Sequence, residues 1–187
     1  MTAWVRSVVA TASISVMALL APAAYSLNHG PRNLVENGDF SANGGSLAGW
    51  TYNQNLDNYY WQAATVGTTD SASNGCFGTT CITGTEEQQN YLYQTIGTIP
   101  GKLYELSFSY DAGSGGMNEL KVLVGQKTAK DIVNAAQGAN TYTVRFIAHG
   151  FDTKLNFLGR QDAAFSFLTN ISVTRVHRAE DLDDDND

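Results

Sequence analysis

The segment "WTYNQNLDNYYWQ" gathers Trp50, Tyr52, Tyr59, Tyr60 and Trp61 within twelve residues and surrounds them with Asn and Gln. Flat aromatic rings stack on the apolar C–H faces of sugars, and side-chain amides pair with vicinal hydroxyls. Recognition of carbohydrate is the chemistry this composition suits. If Tyr59 to Val66 is a strand, Tyr59 and Trp61 share one face while Tyr60 takes the other, so one set fills the core and the other lines a surface. The expected ligand contacts are Tyr59 and Trp61, with Trp50 and Tyr52 beside them and Asn58 and Gln62 as polar partners. The bland alternative for Trp50 and for either strand face is ordinary aromatic core.

Other reactive residues are less suggestive. Glu86 and Glu87 are adjacent carboxylates, whereas a glycosidase needs two carboxyls from separate elements flanking the scissile bond. His149 and Asp152 are close in sequence, but they fall in an expected hairpin turn and no Ser stands out as their partner. The chain has no G-x-S-x-G elbow, no H-E-x-x-H helix and no phosphate loop. A non-enzymatic protein is expected. Cys76 and Cys81 enclose Phe-Gly-Thr-Thr, and in an exported chain such a close pair is most simply a disulfide. A zinc site on C-x4-C would have to recruit from His29, His149 and His177, all distant in sequence.

Export itself is read from the N-terminus. Arg6 precedes a mostly apolar run from Val8 to Leu20, followed by small residues at Ala21, Ala23 and Ala24. That is the pattern of a signal peptide over residues 1–26, cleaved after Ala23 or Ser26, with no Cys at either junction to carry a lipid. The run is too short and too rich in Ala, Ser and Thr to span a bilayer, which takes roughly 20 apolar residues. Roughly 160 residues remain, the usual size of one domain.

The net charge is −7, but Glu180, Asp181, Asp183, Asp184, Asp185 and Asp187 crowd the last eight residues, so the body is nearly neutral. With 11 Lys and Arg scattered along the chain, no basic stripe exists to meet phosphates; nucleic acid and anionic membrane surfaces are not expected partners. The alternating acids of 177–187 lack the central Gly and closing Glu of a helix-loop-helix calcium loop, and the segment is expected to be a disordered acidic tail.

The elements that must position these residues follow period two. In "KLYELSFSY" Tyr104, Leu106, Phe108 and Tyr110 alternate with Leu103, Glu105, Ser107 and Ser109; "TYTVRFIA" and "NELKVLVG" repeat the pattern. Further strands are expected at Gln89 to Ile96, Leu155 to Leu158, and Ala164 to Val176 with a break near Asn170. Only Lys127 to Ala139 suggests a helical turn or two, closed by Gly138. Seven to nine short strands between Gly, Asn, Asp and Ser loops predict an all-β, single antiparallel β-sandwich.

The opening of the mature chain, "NLVENGDFSANGGSLAGW", resembles the start of secreted carbohydrate-binding-module-like jelly rolls of the galactose-binding-like superfamily, which commonly read "NL(V/I)xNGxFE…GW". The resemblance continues through Leu92-Tyr93-Gln94-Thr95-Ile96, the Pro100-Gly101 turn, Tyr104-Glu105-Leu106-Ser107-Phe108 and Asn170-Ile171-Ser172-Val173, in family order, over a domain of residues 33–176. It implies a jelly roll whose first strand is Asn33 to Val35, with Asn37-Gly38 as a tight turn in which Gly supplies the positive φ. It also implies a structural calcium ion held near that strand by backbone carbonyls and by an acid of the last strand. Here Ser41 stands where the family often has Glu and Asn170 where the last acid is common, so no cofactor is expected, with Glu36 or Asp39 as the compensating acids if calcium is bound. The function expected is a secreted, non-catalytic module that binds a carbohydrate polymer or glycan; the alternative is a secreted adhesive or matrix sandwich.

Overall fold

A computed structural model describes residues 32–56, 60–113, 116–162 and 164–177. Two five-stranded antiparallel sheets face each other, in the order β1-β4-β9-β6-β7 and β2-β3-β10-β5-β8. The strands are β1 (Thr51–Tyr52), β2 (Gln62–Val66), β3 (Thr69–Asn74), β4 (Tyr91–Gly97), β5 (Leu103–Asp111), β6 (Asn118–Val124), β7 (Lys127–Val133), β8 (Ala139–Ile147), β9 (Asp152–Gln161) and β10 (Ser166–Arg175). A 3-10 turn at Ala42–Gly44 and a single helical turn, α1 (Thr80–Thr83), are the helical elements described. The chain is an all-β sandwich, as its alternation predicts. The expected signal peptide and acidic tail lie outside the described residues, apart from His177.

Alternation translates directly into layers. In β5, Tyr104, Leu106, Phe108 and Tyr110 are buried while their neighbours are half-buried on the outer face. From the opposite sheet, β4 contributes Leu92 and Ile96, β6 Leu120 and Val122, and β9 Leu155 and Phe157. The two inner faces meet through aromatic contacts: Phe157 packs edge-on against Phe108 at 5.6 Å between centroids and against Trp50 at 6.1 Å, and Trp50 in turn meets Phe40 at 5.6 Å. Such tilted and edge contacts add to the burial of large rings.

Three expectations are corrected. Lys127 to Ala139 is not helical: Lys127–Val133 is edge strand β7, turned back on β6 through Gly125 at φ 63° and holding to the core by Ile132. Its Ala and Lys content favours helix locally, but pairing with β6 overrides propensity. A further strand, β3, occupies "TDSASN", a composition poor in strand formers that is carried by its ladders to β2 and β10. Asn33 to Val35 joins no ladder. The Asn33 side-chain oxygen accepts from the amides of Val35 (3.0 Å) and Val173 (2.9 Å), and Leu34 N donates to Val173 O (2.9 Å).

The Asn37-Gly38 turn is real but its labour is divided differently. Asn37 takes the positive φ (49°), whereas Gly38 is required by proximity: a β-carbon there would lie 1.9 Å from the carbonyl oxygen of Ile171. The break expected near Asn170 is present as a register shift between Thr169 and Ser172, with Asn170 at φ 53°.

Candidate glycan-binding face

The structure disperses the residues expected to bind. Trp61 is fully buried, its Nε1 donating to Asn90 O (3.1 Å), and Trp50 is buried with Nε1 donating to Asn37 O (3.0 Å). Neither indole offers a face to a ligand, so both readings as stacking platforms are corrected; each is a core residue whose polar edge is satisfied by a backbone carbonyl. The strand begins at Gln62 rather than Tyr59, so alternation from Tyr59 onward does not set their orientation. Tyr59 and Asn58 lie outside the described residues. Tyr52, in β1 at one edge of the first sheet, is half-buried and stacks on Tyr60 (6.0 Å, 28° between planes). Gln62 is exposed at the start of β2, at the edge of the other sheet.

A different aromatic pair does face outward. Because Leu92, Gln94 and Ile96 of β4 point into the sandwich, Tyr91 and Tyr93 must point out, and both are half-buried on the outer face of the first sheet. Their ring centroids are 5.7 Å apart with the planes tilted by 43°. The register sets Tyr93 opposite Asn156 of β9, Asn156 opposite Leu123 of β6, and Tyr91 opposite Leu158. On this face the Asn156 Oδ1 is buried and accepts no hydrogen bond from the described residues. Lys154, two residues earlier on β9 and opposite Thr95, lays its Nζ 3.7 Å from the centre of the Tyr93 ring.

At the Tyr91 end the face runs into a depression of about 510 Å³ lined by Asn53, Asn55, Thr85, Glu86, Glu87 and Tyr91. Asn53 holds its wall: Nδ2 donates to the carbonyls of Glu87 (2.9 Å) and Gln89 (2.8 Å), and Oδ1 accepts from Asn55 N (3.0 Å). Glu86 and Glu87 are exposed neighbours on one loop, not carboxyls opposed across a cleft. The Tyr91 hydroxyl is held above its ordinary acidity range, first by burial, then by Tyr93 and Glu86, which keeps it a neutral donor. Next to this depression lies another of about 440 Å³, floored by the Cys76–Cys81 disulfide and edged by exposed Phe77.

Another depression, about 580 Å³, lies elsewhere, between edge strands β7 and β8. Its walls are Val124, Ala129, Val144, Phe146 and Ala148, and Phe146 already spends a ring face on Tyr104 (5.6 Å, 19° between planes). Lys127, Arg145, His149 and Asp152 also line it, and among the described residues its lining has no neighbouring pair of rings like Tyr91 and Tyr93.

The residues where calcium is implied do not fit a cation. Asn37 Nδ2 donates to the carbonyls of Ser46 (2.8 Å) and Ala48 (2.9 Å), and its Oδ1 accepts from Ala42 N (3.0 Å), so an amide already satisfies the carbonyls that a cation would use. Asp39 accepts from Ser41 N (3.2 Å), and among the described residues no three His, Cys, Asp or Glu side chains converge.

No protein-family model and no curated protein matches the chain. Solved structures share its fold at low identity. The carbohydrate-binding module TmCBM61, solved with beta-1,4-galactotriose, matches at TM-score 0.55 and 15% identity over 78% of this chain and 99% of that one. The CBM22-1 and GH10 modules of a xylanase from Clostridium thermocellum match at 0.57 and 12%, over 79% of this chain and 29% of that one. The K3 adhesin domain of Lys-gingipain from Porphyromonas gingivalis matches at 0.53 and 17%, over 78% and 99%. A cyclase from Fischerella and a bacteriophage tailspike enzyme domain share the fold too, this chain spanning only 21% of the latter. The fold is therefore a carbohydrate-binding-module-like jelly roll.

Alternation around Leu92-Tyr93-Gln94-Thr95-Ile96 was the available signal for the outward tyrosines. Denser aromatics in 50–61 draw attention away from it.

Proposed function

We propose that this chain is an exported, non-catalytic module that binds glycan on the outer face of the sheet β1-β4-β9-β6-β7, with Tyr91 and Tyr93 as the stacking platform. The observation that carries the reading is the pair of outward tyrosine rings on β4, Tyr91 and Tyr93, beside the polar depression lined by Asn53, Asn55 and Glu86. A sugar supplies the complements, C–H faces for the rings and hydroxyls for the polar wall. Asn55 and Glu86 at the Tyr91 end extend the polar contacts along the chain of a polymer. Recurrence of carbohydrate-binding modules among structures of this fold supports the reading, as the disulfide supports export.

A glycan array on the secreted protein, followed by calorimetry with the best ligand, tests it. Tyr93→Ala and Tyr91→Ala should each weaken binding by about 1 to 3 kcal/mol, the usual loss for an interfacial aromatic anchor, and leave the unfolding midpoint near wild type. Wild-type affinity in both variants would refute this site. An adhesive role is the second reading, favoured by exposed Phe77, Phe151 and Phe165 and by the adhesin domain of the same fold; binding to cells or proteins and to no glycan would select it.

A further inference from the structure

We propose that the glycan taken by this face is acidic, carrying a carboxylate or sulfate that Lys154 reads; the inference rests on the glycan-binding reading above. The outer face around β9 holds three basic side chains. Lys121 lies 3.3 Å from Glu119 and 3.8 Å from Asp131, and Arg160 is paired with Asp162. Lys154 differs: among the described residues no carboxylate lies within ion-pair distance, and its contact is the Tyr93 ring. Lys154 is a half-buried residue whose ammonium lies on an aromatic plane, so an anion delivered there meets a cation already placed by the ring.

The neighbours decide what kind of anion. Tyr93 stands opposite Asn156, and Asn156 follows Lys154 by two residues on the same face, so the ammonium and the unpaired amide acceptor flank one ring. Lys154 covers part of the Tyr93 plane, which leaves Tyr91, tilted 43° beside it, as the freer platform. A pyranose on Tyr91 can direct a ring substituent to Lys154. A neutral hydroxymethyl gains one hydrogen bond from that ammonium, whereas a carboxylate or sulfate adds charge–charge attraction to the hydrogen bond. Glu86, beside Tyr91, favours the acidic group at the Lys154 end, since an anion at the Tyr91 end would meet like charge.

The test is calorimetry of the secreted protein against oligogalacturonate and alginate oligomers as carboxylated probes, heparin and carrageenan oligomers as sulfated ones, and galactan and xylan oligomers as neutral controls of equal length. At least tenfold preference for the acidic set is expected, shrinking as salt is raised, and the preferred arm identifies carboxylate or sulfate. Lys154→Met should remove that preference, lowering affinity for the acidic set by at least tenfold and for neutral oligomers by less, while Lys154→Arg retains it; Lys154→Gln is the second charge-removing variant should the Met variant unfold at a lower temperature. Neutral oligomers bound as tightly as acidic ones by wild type would overturn the acidic reading and leave the glycan reading standing. No binding to any oligomer would overturn both.

Discussion

The indole of Trp61 rests on Gly159: a β-carbon built on that glycine would fall 2.7 Å from the indole Cζ2 and 2.7 Å from Asn74 Nδ2. The missing side chain in β9 is thus the space that Trp61 occupies. Truncating Trp61→Ala should cost about 3 to 5 kcal/mol, the scale of emptying a buried aromatic site. Gly159→Ala should cost about 1 to 3 kcal/mol by overpacking. Urea unfolding measures both; a wild-type midpoint for Trp61→Ala would return that residue to the surface.

Asn37 provides a second test of the core's edge. In Asn37→Asp an oxygen replaces the Nδ2 that faces Ser46 O and Ala48 O, setting carboxylate against two carbonyls. A loss of about 2 kcal/mol or more is expected, since charged groups without partners are costlier than neutral ones. Millimolar calcium should restore part of it, because the variant now has the oxygen set a cation takes. Chelator should leave the wild-type melting temperature unmoved; a shift would show that the wild type does hold a cation.

The disulfide loop is docked by an acid. Asp162 Oδ1 accepts from Gly78 N (2.8 Å) and from Arg160 Nε (3.1 Å), and the Arg160 hydrogen bond, ahead of the backbone one, holds its carboxyl below the ordinary value of 3.8. A carboxyl pKa lowered in the folded state stabilises above pH 3.8, and that stability is lost as pH falls through the lower folded value. Below pH 3.8 the wild type should therefore lose stability more steeply than Asp162→Asn, which is already neutral. Equal acid slopes in chemical unfolding would contradict this.

Replacing both cysteines, Cys76→Ala with Cys81→Ala, should cost about 2 kcal/mol, the loop-entropy estimate for so short a ring. The domain should stay folded, because Gln161 N to Cys76 O (2.8 Å) and Asn90 N to Cys81 O (3.0 Å) still tie the loop to β9 and to the start of β4. Loss of the folded near-ultraviolet spectrum would show that the bridge carries the fold.

Intact mass of secreted protein is expected to place the mature start at Ala24 or Leu27. A chain that retains residues 1–20 would contradict export by cleavage.

The sequence by itself determined the sandwich, because a period of two in β5, β6 and β8 records which side of each strand meets the core, and that record is local. It determined the break at Asn170 for the same reason, since the alternation of Leu168, Ile171 and Val173 changes phase there. The Cys76–Cys81 bridge was legible from the close spacing together with the export expected from the N-terminus. What only the tertiary structure decided was which aromatics are spent inside. Trp61 looks like a binding residue in a run of rings and amides, and it is core because Gly159, 98 positions away, leaves it a hole. Tyr93 looks like one residue of an ordinary strand, and it faces outward with Lys154 and Asn156 beside it because β4 pairs with β9. β7 reads as helix until β6 supplies its hydrogen bonds. Alternation distinguishes inside from outside on a strand already known; which strands lie side by side is settled by contacts far apart in the chain, and the proposed binding face is made of those.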